Sequence, residues 1–531
     1  MKVLTAAQMR EVDRLSTERF GIPGLQLMEN AGNRVVEFLE QNFREPRRSC
    51  VFVVSGKGNN GGDGLVVARL LQERGVRPVA VLCGDPNEVR GDASANLDRY
   101  RRSGGELILA TNASEWAPMK TRLAQADIIV DALLGTGLRG PVEGWLADVV
   151  ADLNAVGKKS RIIAVDIPSG LSADSGEVAG PAVDAEATVT FTAPKIGELL
   201  YPASSRVGHL EVVSIGSPRA LIDECSDSNL RWLEPAEFLG LRFRRKADAN
   251  KGNFGHALVT AGSVGKSGAA VMAGWAALRA GAGLVTVAAP DDCVPVIGAH
   301  TPEMMTEPLA STEAGTLGLR SLEYNVFTNV LRGKSILAMG PGLTTYAETQ
   351  QFVRNVVRDS GIPLVLDADG LNAFAGRSAE LAGHSAPEMV ITPHPGEMAR
   401  LLGTSISQVQ ANRLEVARKG AVDWKTAVVL KGHQTVIASP DGRAWINSTG
   451  NPGMAKAGSG DVLTGMLAGI LAQHGSSNWY DGICLAVYLH GLAGDIAARE
   501  IGEISMMATD LISAIPRAYA HLLAELDHVE R

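Results

Sequence analysis

Apolar positions along this chain follow two patterns: short continuous runs rich in Val and Ile, and longer stretches whose apolar residues recur every three or four positions. The chain opens on the second pattern. Thr5 and Gln8 have capping-box spacing, and Met9, Val12 and Leu15 follow on one helical face, which predicts an N-terminal helix. Short apolar runs then recur at 51–54, 79–83, 128–130, 162–165, 189–191 and 210–215, with helix-patterned segments between several of them. Continuous apolar strands alternating with helices predict a parallel sheet covered on both faces. After Gly216-Ser217-Pro218 comes a polar, aperiodic stretch, 223–229, and beyond it the same grammar restarts at 257–260, 284–288, 336–339, 364–366, 389–391 and 428–430. The runs 435–438 and 443–446 flank Pro440-Asp441-Gly442 and predict a hairpin. The pattern predicts two α/β domains, 1–225 and 226–531.

Composition narrows the class. With 50 Lys and Arg against 58 Asp and Glu the net charge is −8, which argues against a nucleic-acid surface, so any anionic ligand must be held locally. The basic run 242–246 reads as a solvated linker. Five cysteines, at 50, 83, 225, 293 and 484, form no Cys-x-x-Cys pair and suggest neither a disulfide framework nor a zinc site. The first fifteen residues carry charges throughout, and no run approaches the roughly 20 apolar residues of a membrane span. A soluble, cytoplasmic protein without membrane or nucleic-acid partners is expected. Glycine, 59 of 531 residues, exceeds its usual share of about 7% and points to loops at which backbone meets ligand.

The glycines cluster where chemistry is expected. Ala457-Gly458-Ser459-Gly460-Asp461 opens into an apolar helix, and backbone N–H groups at a helix start cradle phosphate. A carboxylate there repels phosphate, so Asp461 reads either as a helix cap or as a group that handles a proton beside the phosphate. In the first half, Gly56, Gly58 and Gly61 satisfy a dinucleotide fingerprint after the strand at 51–54, with Asp85 at the distance of a ribose-binding acid. Asn59-Asn60-Gly61-Gly62-Asp63 departs from the plain fingerprint, since amides and a carboxylate also coordinate cations or hydroxyls. Asp131 and Asp166 each close an apolar strand and precede glycine-rich loops, and such loops converge at the carboxyl edge of a doubly wound sheet. In the second half Gly265-Lys266-Ser267 is not a P-loop, because the first glycine of that motif would fall at Thr260.

The double-asparagine loop, Asp131 with Gly135-Thr136-Gly137, and Val165-Asp166-Ile167-Pro168-Ser169-Gly170 resemble the YjeF N-terminal domain, the NAD(P)H-hydrate epimerase, over about residues 1–225. The resemblance implies that Asn60, Asp131 and Ser169 hold a potassium ion and that Asp166 handles the proton near the hydrated carbon. It also implies that Asn59, Asn60, Gly61, Gly62, Asp63, Gly135, Thr136, Gly137, Leu138, Arg139, Gly140 and Pro141 contact the dinucleotide.

Gly340-Pro341-Gly342, Thr392-Pro393-His394-Pro395-Gly396-Glu397, Lys431-Gly432-His433-Gln434-Thr435 and the loop ending in Asp461 resemble the YjeF C-terminal domain, the ADP- or ATP-dependent NAD(P)H-hydrate dehydratase, over about residues 231–531. This implies that Lys431, Gly432, His433, Gln434, Thr435 and Gly460 contact the adenine nucleotide. Ala257, Gly342 and His394 would contact the hydrated dinucleotide, and Asp461 is the catalytic base. The fold implied is a Rossmann-like three-layer α/β sandwich followed by a ribokinase-like α/β domain, and the implied co-substrate is ADP, with Mg2+ accompanying the nucleotide. A homo-oligomer is expected. Lys456 is expected to face solvent, the other reading being a phosphate contact. Two further readings stay open: a vitamin or sugar kinase, which would leave a stable phosphoester, and a first half that serves only as a binding scaffold.

Overall fold

The structure is a computed structural model that describes residues 1–43, 49–226 and 229–529. The chain divides into two compact units, Lys2–Ser228 and Asn229–Arg531, the latter also taking Met1. The sequence reading drew the boundary three residues earlier, in a stretch whose residues 227 and 228 lie outside the described ones.

In the first unit seven strands are described: β1 (Val51–Ser55), β2 (Val79–Cys83), β3 (Glu106–Ala110), β4 (Ile128–Ala132), β5 (Arg161–Val165), β6 (Ala187–Phe191) and β7 (His209–Val213). They form one parallel sheet in the order β3-β2-β1-β4-β5-β6-β7. Both faces are covered, which is why β1, β2 and β4 are buried at every position. Val35, Leu65 and Leu97 pack on Val53 and Val130 from one side, and Trp116, Leu123 and Val149 pack on Phe52 and Ile129 from the other.

Helix α1 (Ala6–Phe20) starts at the anticipated capping box, with Gln8 N–H donating to Thr5 Oγ1 and Thr5 N–H donating to Gln8 Oε1. After it come α2 (Gly24–Asn42), α3 (Asn59–Glu73) and α4 (Gly91–Arg102). One expectation changes here: Asn59–Asp63 is not a loop but the first turn of α3, with Gly58 as its cap. A Cβ on Gly61 would lie 1.8 Å from the Gly56 carbonyl oxygen, so only glycine lets the helix start double back against the strand exit. Strand order reverses between β1 and β4, which opens a crevice at their carboxyl ends.

The second unit contains β8 (Leu230–Trp232), β9 (His256–Thr260), β10 (Leu284–Pro290), β11 (Met305–Leu309), β12 (Ile336–Met339), β13 (Leu364–Leu366), β14 (Met389–Ile391), β15 (Ala427–Leu430), β16 (Val436–Ala438) and β17 (Ala444–Ile446). Their order is β11-β10-β9-β12-β13-β14-β15-β16-β17-β8, parallel from β11 to β15. The anticipated hairpin is β16–β17, closed by Gly442 N–H donating to Ser439 O at 3.0 Å.

Helices Ser267–Arg279, Ser459–His474, Trp479–Ile501 and Ala508–Val529 contribute to one core with the sheet. The first two cross so closely that a Cβ on Gly465 would lie 2.0 Å from the Ala273 carbonyl oxygen. The helix Trp479–Ile501 corrects the sequence reading: its 23 residues are long and apolar enough to cross a membrane, but 72% of its apolar window is buried inside this unit. It is a core helix, with Ile483, Leu485, Leu489 and Ala493 packed into the shared core.

Two candidate active sites

In the first unit a cavity of about 740 Å3 opens at the carboxyl edge of the sheet. Asn59, Asn60 and Asp63 line it from α3, Gly135, Thr136, Gly137, Leu138 and Arg139 from the loop after β4, and Asp166 from the end of β5. Gly61, Gly62, Gly140 and Pro141 do not line it. Gly61 and Gly62 are buried in helix packing, where a Cβ on Gly62 would meet Met28 and Ala93, whereas Gly140 and Pro141 lie exposed at the far end of their loop.

Asp131 and Ser169 are fully buried beside this cavity. The Asp131 carboxylate accepts from Ser169 Oγ at 2.6 Å, Ser169 N–H at 2.8 Å and Leu133 N–H at 3.3 Å. Burial pushes Asp131 up to about 6 even against those hydrogen bonds. Asn60 Nδ2 donates to Leu134 O at 3.0 Å, and Leu134 N–H donates to Ser169 Oγ at 2.7 Å, so the three side chains meet around one short segment. Asn60 Oδ1 is buried and accepts no hydrogen bond among the described residues. An unpartnered amide oxygen beside a buried carboxylate suits a hard cation.

Asp166 takes a left-handed backbone conformation, φ 63°. Its N–H donates to Val189 O at 2.9 Å and its carboxylate accepts from Phe191 N–H at 3.2 Å, which fixes its direction. The carboxylate also forms an ion pair with Lys195, a fully buried ammonium that bonds Thr190 Oγ1 as well. Burial alone lowers Lys195, but the charges of Asp166 and Glu198 outweigh it and the net shift is upward. The sequence reading missed Lys195; a single lysine closing the mainly apolar run after β6 was the available signal.

In the second unit, residues just after β13 and β15 meet the start of helix Ser459–His474. Asp461 is the third residue of that helix, whose cap is Gly458, so the capping alternative for Asp461 falls. Asp367, just after β13, is 1% exposed and accepts from Lys431 Nζ at 2.6 Å and Thr464 Oγ1 at 2.7 Å. Lys431 also lies 3.9 Å from Glu397. A Cβ on Gly460 would lie 3.4 Å from Lys431 Nζ, so the helix start and this cation share one place. Burial, together with the Asp367 charge, pushes Asp461 up to about 6 against the pull of Lys431. A helix N-terminus, the Lys431 cation and a carboxyl with raised proton affinity combine an anion site with a base.

His394 caps helix Pro395–Leu402, its Nδ1 accepting from Gly396 N–H at 2.9 Å. Burial and the nearby Lys431 lower its proton affinity, and its Nε2 lies 3.5 Å from Glu397 Oε1. Gly342 accepts from Ser263 Oγ at 2.7 Å and lies against Lys266 and Ala269. Gly432 and His433 are exposed, Gln434 and Thr435 half-buried; behind them buried Arg413 donates to Leu430 O at 3.0 Å. Helix Trp479–Ile501 braces the strap that leads to Asp461. His490 Nε2 bonds Ser459 O at 2.9 Å, and the Asp495 carboxylate accepts from Gly450 N–H and Asn451 Nδ2, both at 2.9 Å.

Several expectations are corrected. Ala257 lies within β9 at 0% exposure, paired with Val285 and Ile336, where no ligand reaches it; Ala269 is the alanine beside Gly342. Asp85 caps the turn Pro86–Glu88 through Asn87 N–H at 2.8 Å and does not line the cavity. Lys456, by contrast, is exposed, in keeping with the solvent-facing expectation, and donates to Ile504 O. Asp367, Thr464 and Glu397 were not anticipated as site residues.

Two family models match this chain: one described as YjeF-related protein N-terminus over residues 24–197, the other as NAD(P)H-hydrate dehydratase over 257–517. A bifunctional NAD(P)H-hydrate repair enzyme of Moorella thermoacetica is 43% identical, covering 100% of this chain and 98% of the relative. The enzyme of the same description from Escherichia coli K12 is 32% identical, over 99% and 95%. Among solved structures, the ADP/ATP-dependent NAD(P)H-hydrate dehydratase of Bacillus subtilis, co-crystallised with ATP and Mg2+, is 32% identical. The match covers 56% of this chain and 100% of that one, with a TM-score of 0.48. With both matched domains in one chain and whole-length identity to such relatives, this chain belongs to the family of bifunctional NAD(P)H-hydrate repair enzymes.

Proposed function

We propose that this protein restores hydrated NADH and NADPH: the first unit interconverts the R and S hydrates, and the second dehydrates the S form at the expense of ADP, releasing AMP and phosphate. The observation that carries the reading is the position of Asp461, a carboxyl with raised proton affinity in the first turn of a helix beside Lys431. Hydroxide leaves poorly and phosphate leaves well. Asp461 takes the proton of the C6 hydroxyl as the phosphoryl group arrives, and departure of phosphate restores the ring double bond.

Helix-start N–H groups at Gly458–Gly460 and the Lys431 ammonium receive the phosphates, and Gly432–Thr435 contact the rest of the nucleotide. Gly342 and His394 hold the hydrated ring. Among the described residues no group of three or more His, Cys, Asp or Glu is placed to hold a metal ion, and Mg2+ would arrive on the nucleotide's phosphates.

In the first unit Asn59, Asp63, Gly135–Arg139 and Asp166 border the dinucleotide. Asn60, Asp131 and Ser169 supply oxygens that fit potassium, which would fix the loop after β4 and offset the buried Asp131 charge. Epimerisation is therefore expected to fall at least ten-fold when potassium is replaced by lithium or choline, while dehydration of purified S hydrate keeps its rate; an unchanged epimerisation rate removes the cation assignment. Five free cysteines fit a reducing cytoplasm.

The deciding experiment supplies mixed epimers with ADP, ATP or neither and follows absorbance of the reduced nicotinamide. Complete recovery with release of inorganic phosphate requires both units. A stop near half shows a silent epimerase, and a stable phosphoester shows a kinase.

A further inference from the structure

Helix α1 lies outside the span 24–197 matched by the N-terminal family model, yet it forms one wall of the first-unit cavity. It brings Asp13 there. The Asp13 carboxyl lines this cavity together with the buried apolar residues Met9, Leu27, Met28, Ala31, Phe191 and Ile215, and its Oδ1 is buried with no hydrogen-bond partner among the described residues. A buried, unpartnered carboxyl oxygen favours the neutral acid. Burial, reinforced by the Asp166 charge and only partly opposed by Lys195, pushes Asp13 up to about 7. Asp166 borders the same cavity but holds its carboxylate against the Lys195 ammonium. Two carboxyls with opposite settings around one cavity form an acid and base pair.

The chemistry requires both, on the reading that the first unit is an epimerase. The C6–O bond breaks only as its oxygen gains a proton, and an ion-paired carboxylate has none to give. We propose that Asp13 is the general acid that protonates the departing C6 hydroxyl. The lone pair of the ring nitrogen forms the N1=C6 bond as water leaves, and Asp13 becomes a carboxylate. Water then adds to the opposite face and loses its proton to Asp166. Return of that proton from Asp166 to Asp13 through solvent closes the cycle with nothing consumed.

Other charges surround Asp13. On its own helix lie Arg10 and Arg14, the latter tied to Glu11 and Glu18. Across the cavity are Asp63 on α3, Asp92 on α4 and Lys57, which pairs with Glu88. Asp63 is also pushed up, by burial first and then by Asp166 and Asp13, and burial pushes Glu198, beside Lys195, up to about 7, so the test must separate Asp13 from both.

The experiment compares full-length native protein with Asp13→Asn and Asp13→Glu, following epimer interconversion across pH and, in the same samples, ADP-dependent dehydration of purified S hydrate. Asp13→Asn is expected to lower epimerase kcat about 10²-fold or more with dehydration unchanged. Native epimerisation should decline as pH rises through about 7, where Asp13 loses its proton, and Asp13→Asn should lack that limb. Epimerisation within two-fold of native in Asp13→Asn, or a limb that persists there and so belongs to another group, overturns the assignment. Should Asp13→Asn unfold the first unit, Asp13→Glu decides: a displaced limb with partial rate supports Asp13, an unmoved limb overturns it. A native chain that dehydrates S hydrate but interconverts no epimers removes the epimerase reading itself, an outcome distinct from an active Asp13→Asn.

Discussion

Asp461→Asn is expected to lower ADP-dependent recovery of reduced cofactor on the order of 10³-fold while leaving ADP affinity within a few-fold of native, as read by turnover on S hydrate and by calorimetric titration with ADP. The asparagine keeps the shape and the helix; it removes only the proton acceptor. Nucleotide binding rests on other atoms, the helix-start N–H groups and Lys431. The native pH profile should carry the same signature. Because burial and Asp367 push Asp461 up to about 6, its basic form is present above that value and lost as pH falls through it, so dehydration should decline on the acid side near pH 6. Near-native turnover in Asp461→Asn, or no acid limb, places the base elsewhere.

Asp367→Asn has the second large effect, on stability. The carboxylate is 1% exposed and bonds both Lys431 and Thr464. Removing its charge leaves the Lys431 ammonium with only Glu397, 3.9 Å away, and Asp461 to offset it, a change that costs about 3 kcal/mol. The urea midpoint for loss of dehydration should fall by roughly 1–3 M while that for epimerisation stays, since the change lies in the second unit. The double variant Asp367→Asn/Lys431→Met should lose less than the sum of the singles. An unmoved midpoint in Asp367→Asn would show that the pair is not stabilising.

The strands that escaped the sequence pattern share one property. β3, β8 and β11 all lie at sheet edges, as does β7, which the pattern did mark; their side chains are largely exposed or half-buried, β8 and β11 carry no continuous apolar run, and the short run Leu107–Ala110 of β3 went unread. The pattern reports burial on both faces, and an edge lacks it. Site residues divide similarly. Asp461, Asp166 and Asn60 stand in glycine-flanked motifs, where residue type and spacing both speak. Lys195, Asp367 and Asp13 act through burial and through partners distant in sequence, and neither is written locally. Asn59–Asp63 was legible as a ligand-facing segment but not as helix, because two glycines in a first turn carry no helical preference of their own.

The crossing at Gly465 ties together what the two ends of these helices do. One helix starts at Ser267, beside the Gly342 loop, and the other contains Asp461 in its first turn, so the gap between that loop and Asp461 depends on how closely the two helices touch at Ala273. That contact works as a ruler. Misplacement of reacting groups by about 1 Å costs on the order of 10²-fold in rate, and a side chain on Gly465 would force the helices apart by a comparable amount. A glycine one turn beyond Asp461 therefore sets a distance within the site, and its absence of a side chain is a statement about that distance.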